Sequence, residues 1–168
     1  MLLSRLFNKQ AEPDDSGSAS VFKAMMEEAA ASLEASFVRQ YGWDADGRTR
    51  KVESLVMAKF IMDQALVSTF CDRLSRKRLK NLCSILDTIF ETLLHRLSPE
   101  TAPDPFMMKF RDYSVMLRGN KAPLCWQLIA GSVVGRDLVE DPPTKEMFPQ
   151  FLLDEFVKVR ERLKEVII

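Results

Sequence analysis

The sequence predicts an all-α protein: one helical bundle-like domain of about six helices, preceded by a short amphipathic segment. Three observations carry this. Apolar residues recur at helical spacing along most of the chain. Only six of its 168 residues are Gly, as suits helices joined by short connections. The long stretch 48–97 holds neither Gly nor Pro. The expected helices cover 20–41, 48–74, 76–97, 104–118, 123–139 and 149–167, in a domain spanning 20–168, with 1–19 as an N-terminal segment and flexible linker.

Residues 1–9 (MLLSRLFNK) can place Leu2, Leu3, Leu6 and Phe7 on one side of two helical turns. Residues 10–19 are polar and contain Pro, Gly and Ser, the composition of a linker. Ser20 reads as the N-cap of the first long helix, whose Phe22, Met26, Ala29, Leu33 and Phe37 share a face. Gly42 ends it.

Residues 48–97 carry two apolar series. The first, Val52 to Leu74, is apolar almost all round, with a narrow polar strip at Lys59, Asp63 and Gln64. A helix of that kind is central. The second, Leu79 to Leu97, has a clean polar face of Lys80, Ser84, Asp87, Glu91 and His95. One helix of this length would run about 75 Å, too long for a compact domain of this size, so a break near Ser75 and an antiparallel hairpin are expected.

Asp104-Pro105 reads as N-cap and first helical residue, and Gly119 closes that helix. Pro123 opens the next, where Gly131 and Gly135 admit a close backbone and Asp141-Pro142-Pro143 is the expected stop. The last helix has a heptad-like stripe of Leu152, Phe156, Val159, Leu163 and Val166.

Composition narrows the function. Lys plus Arg and Asp plus Glu both number 24, a net charge of zero that argues against a strongly basic nucleic-acid binder. Three cysteines, Cys71, Cys83 and Cys125, form no paired framework and read as small hydrophobes inside apolar runs. Reduced thiols, the lack of a signal-peptide pattern at residues 1–10 and the lack of a long apolar run give the expectation of a cytoplasmic protein without a transmembrane segment.

Local motifs are weak. The loop after the first helix approaches an EF-hand through Asp44, Asp46, Gly47 and Glu53, but Gly42 stands where the first carboxylate ligand belongs. The plainer reading is a turn in which Asp46 caps the next helix. Arg73, Arg76, Lys77, Arg78 and Lys80 gather at the expected hairpin bend, where they either favour the C-terminal end of the earlier helix or bind nucleic acid or an acidic ligand. A second basic group, Arg48, Arg50, Lys51 and Arg96, belongs to the opposite pole. His95, the only histidine, sits on a polar face, and Cys83 on the same helix lies about 18 Å along the axis, out of reach for a thiol–imidazole pair. No phosphate loop, nucleophile elbow, metal-ligand set or cofactor motif is present.

The leading expectation is therefore a non-enzymatic helical protein–protein interaction or adaptor module, able to self-associate through the N-terminal segment or the final helix. In that helix Leu153, Val157 and the terminal isoleucines fall outside the main stripe. Binding of nucleic acid or an acidic ligand by Arg73–Lys80 is the second reading, and a small enzyme with a helical pocket is the third. Met25-Met26 and Met107-Met108 read first as core filling and second as adaptable binding surface.

Overall fold

The computed structural model describes residues 15–119, 124–136, 138 and 148–167. Among these, the chain forms six α-helices after a 3₁₀ turn at Asp15–Gly17, and no strand. The helices are α1 (Ser18–Tyr41), α2 (Gly47–Phe70), α3 (Arg76–Leu97), α4 (Asp104–Gly119), α5 (Leu124–Val134) and α6 (Gln150–Ile167). No helix is long and apolar enough to cross a membrane among the described residues. The expected segment 1–9 lies outside the described residues.

The central position of α2 follows from its sequence. Its apolar series, polar on one narrow strip only, buries Leu55, Val56, Met57, Phe60, Ile61, Met62, Ala65 and Leu66 at once. Such burial needs partners on several sides, and α2 packs against α1, α3, α4 and α6. Each large side chain removed from water there contributes about 1.5–3 kcal/mol. Asp46 caps α2, its carboxylate accepting from the Arg48 and Thr49 amides at 3.0 Å. Ser75 caps α3 by accepting from the Arg78 amide at 3.1 Å, so the hairpin breaks where expected.

Several boundaries differ from expectation. Ser20 is not the first cap: α1 begins at Ser18 after Gly17, and the Ser20 hydroxyl donates back to the Gly17 carbonyl. Asp15, placed in the linker by composition, is held by Arg78 at 3.0 Å, so ordered chain begins before residue 20. Helix α2 stops at Phe70, because the Arg73 and Leu74 amides both turn back to the Phe70 carbonyl. Helix α5 stops at Val134 rather than at the Asp141-Pro142-Pro143 sequence. Gly135 adopts φ +71°, a left-handed conformation that glycine reaches without strain. The Arg136 amide then donates to the Gly131 carbonyl at 3.0 Å. A Cβ on Gly131 would stand 2.5 Å from the Arg136 carbonyl oxygen. The close backbone anticipated at the two glycines is thus the chain's own return.

At one end of the bundle Phe37 is the hub of an aromatic cluster. Phe151 of α6 meets it edge-on at 4.9 Å between centroids, and Trp43 from the α1–α2 loop at 5.6 Å. Tyr41 completes the group, and burial pushes its phenol up to about 12. The Gln40 side chain also donates to the Phe148 carbonyl at 2.7 Å, fixing the start of α6 against the end of α1.

Candidate interaction site

Helix α4 is attached by one face. Phe106 and Tyr113, seven residues apart, are its two buried residues. Phe106 and Phe110 both meet Phe90 of α3 edge-on, and Tyr113 meets Phe60 of α2 at 5.3 Å. Burial, aided by the Glu53 charge, pushes the Tyr113 phenol up to about 12, while a hydrogen bond with Ser132 of α5 pulls the other way.

Beneath this face lies the polar strip of α2. Lys59 is 3% exposed and pairs with Asp63 one turn on and with Asp87 of α3 at 2.8 Å. Its ammonium also stands 5.4 Å from the centre of the Phe110 ring. Burial raises the Asp63 carboxyl above the usual carboxylate range, outweighing the pull of Lys59. Gln64 donates to Ser114, and Lys109 pairs with Glu53. These polar contacts set where α4 sits along α2. The nearby Cys83 thiol is pushed up by burial and then by Asp63, which keeps it protonated and a poor nucleophile.

The opposite face of α4 is uncovered and mixes apolar side chains with the charged Arg111, Asp112 and Arg118. Met107 is 56% exposed, Met108 70% and Val115 62%. Met108 and Val115 are seven residues apart and share a stripe with Arg111. A cleft of about 450 Å³ beside it is lined by Met108, Lys109, Arg111, Asp112, Tyr113, Val115 and Met116, and by Ser132 across on α5. The core reading holds for Met25 and Met26, which are buried, and fails for Met107 and Met108. A signal was present: residues 106–117 hold apolar side chains in every direction around the helix, more than one-sided packing can cover.

On α6 the expected patch is largely used up by the fold. Leu153 is half-buried against the core and Ile167 is buried, whereas Val157 is exposed. Leu152, Val159 and Leu163 of the expected stripe are buried, but Phe156 and Val166 are only half-buried, and Glu155 goes inside instead. Its carboxylate accepts from Ser32 of α1 at 3.1 Å, and Phe156 leans on Trp126 of α5. Sequence spacing marked the face, while neighbouring helices on both flanks decided its edges.

The acidic loop residues are dispersed to other tasks. Asp46 is a cap, Glu53 faces Lys109, and Asp44 is exposed. Among the described residues no group of three or more His, Cys, Asp or Glu is placed to hold a metal. His95 is exposed near the end of α3. Cys125 is buried as expected, but Cys71 is exposed, one turn beyond the exposed Val67 on the same outward side of α2.

Arg73, Arg76, Lys77 and Lys80 are exposed at the hairpin bend, and Arg78 is turned inward onto Asp15. The last turn of α2 carries no basic residue, and Arg73 lies in the turn just beyond it, its amide on the Phe70 carbonyl. Arg76, Lys77 and Arg78 instead occupy the first turn of α3, which has no acidic residue, at the end where a helix favours anions. At the far pole Arg48 donates to Ser98, Arg50 pairs with Glu34 and Arg96 with Glu27. No protein-family model matches this chain, and neither a curated protein nor a solved structure matches it.

Proposed function

We propose that the chain is a non-enzymatic helical module that binds a protein partner, another protein or a second copy of itself, through the outer face of α4. One observation supports this above the rest: Met107, Met108 and Val115 stand exposed on a helix that the bundle covers on one side only. Folded monomers keep contiguous apolar surface small, and flexible Met side chains adapt to varied partner shapes. Arg111 within the stripe suits the rim of such a contact. The partner surface is an apolar helix or groove with charged residues of both signs at its edge, to meet Arg111 and Asp112.

The test is Met108→Lys with Val115→Lys. Both positions are exposed, so circular dichroism and thermal stability should change little. Light scattering after size exclusion reads self-association, and affinity capture from the native source reads other partners. Loss of the complex with the fold intact is the expected result. A double variant that keeps the same partners and the same mass as the parent protein overturns the reading.

A second reading keeps the basic bend as a site for an acidic ligand. Its support is the group of cations at the N-terminal turn of α3, where their charges oppose the helix dipole and no acidic side chain of that turn offsets them. Salt-dependent retention on heparin, lost on Arg76→Ala/Lys77→Ala/Lys80→Ala, tests it.

A further inference from the structure

A second apolar groove lies away from α4, between the N-terminal half of α1 and the outer side of α3. Two adjoining clefts of about 380 and 270 Å³ share Ala19, Thr88 and Ile89. Ile85 and Thr92 extend the α3 wall, and Lys23 forms the α1 rim. The Arg96–Glu27 pair crosses from α3 to α1 at the far end.

Three hydroxyls of the walls are already engaged. The Thr88 hydroxyl donates to the Ser84 carbonyl at 3.0 Å, and Thr92 to the Thr88 carbonyl at 2.8 Å. On α1 the Ser20 hydroxyl donates to the Gly17 carbonyl. Each of these three hydroxyls is satisfied by nearby backbone, so an apolar occupant strands none of the three. The strip on α3 is uncharged from Asn81 through Ile85, Thr88, Ile89 and Thr92, on a helix rich in charge elsewhere.

The chain itself enters at the head of this groove. Arg78, Asn81 and Ile85 follow one another on the same side of α3 at helical spacing. Arg78 grips Asp15 through two guanidinium nitrogens, at 3.0 and 3.3 Å. Whatever precedes Asp15 therefore starts at that end.

We propose that this groove is the docking site of the chain's own residues 2–7, with Leu2, Leu3, Leu6 and Phe7 laid against Ile85, Thr88 and Ile89. The lengths agree. Residues 10–14 span at most about 17 Å when extended, enough to turn back from Asp15. Nine helical residues measure about 13 Å, and the strip from Asn81 to Thr92 about 16 Å. In that helical arrangement Ser4, Arg5 and Asn8 face away from the groove. The inference concerns a surface separate from α4 and stands independently of the function proposed for it.

The experiment compares the full chain with full-length Leu3→Asp/Phe7→Asp and with Thr88→Glu, which alters the wall alone. Nuclear Overhauser contacts should join the Phe7 ring to methyl groups of Ile85, Thr88 or Ile89, and both variants should lose them. Trypsin should cut after Arg5 and Lys9 about tenfold more slowly in the parent chain than in either variant, as a docked form populated ten to one requires. Two variants on opposite sides of the contact separate its loss from any change in the segment alone. Equal cleavage rates in all three chains, with no Phe7 contacts, overturn the proposal. Contacts that vanish on dilution, with a dimer seen by light scattering, overturn it in favour of a second copy. A segment that contacts only added anionic vesicles overturns it in favour of a membrane surface.

Discussion

Two methionine pairs meet opposite fates in this fold. Met25 and Met26 of α1 are both sealed in the core, whereas Met107 and Met108 of α4 are both mostly exposed. Their residue types are identical and each lies within a helix. The difference is in the neighbours. Helix α1 packs against α2, α3 and α6, so side chains pointing in several directions find cover. Helix α4 rests mainly on α2 and α5, with Phe90 of α3 at its start. Burial of a side chain is thus a property of the bundle around the helix. An apolar residue left outside is informative because nothing local requires it there.

One of the two largest effects that would test this contrast comes from the ion cluster between the two regions. Lys59→Ala should destabilise the protein by about 3 kcal/mol, since it leaves the largely covered Asp63 without the cation that compensates it, whereas Asp87 is half in water. Replacing the pair together, Lys59→Met with Asp63→Leu, should recover most of that loss in chemical denaturation. If the double variant is as unstable as the single one, the cluster does more than balance charge beneath α4.

Met26→Ala should cost about 2–5 kcal/mol by opening a cavity. A loss well below that range would mean that α1 is packed as loosely as α4. Both tyrosines sharpen the comparison, one in each region, and each phenol is pushed by burial to about 12. The folded state then holds these protons more tightly than the unfolded chain does. That contribution is fully present below pH 10 and is lost as pH rises from 10 to about 12. Phenolate absorbance should stay low near pH 10 and rise only as the chain unfolds. An earlier rise carried by Tyr113 alone, read in Tyr41→Phe, would show that α4 lifts away before the bundle opens. The smallest effect belongs to the exposed pair: Met108→Ala should change stability by no more than about 0.5 kcal/mol. A larger loss would mean that the outer face of α4 is covered by the chain.

Much of the architecture was legible in the residues. Asp46 and Ser75 are short polar side chains placed just before apolar helical runs, and both are caps, because capping is settled within one turn of chain. The all-round apolarity of α2 announced its central place. Ser20 misled because a serine near a helix start can cap it or bond back within it, and the position of Asp15 on Arg78 chose between them. The end of α5 was misplaced because Gly135 and the prolines beyond it are both helix stops, and the nearer one acts first.

The sequence by itself determined which segments are helical, where most of them begin and which side of each is apolar, since these follow from periodicity and short-range hydrogen bonding. Tertiary structure decided what covers each apolar side. It sank Leu153 partway and Ile167 fully, drew Glu155 inward onto Ser32, buried Lys59 between two carboxylates, and left Met107, Met108 and Val115 in the open. The physical reason is that apolar attraction is non-directional. A helix carries its stripe wherever it goes, but the side chains at the edges of the stripe are covered or exposed according to how many helices surround it.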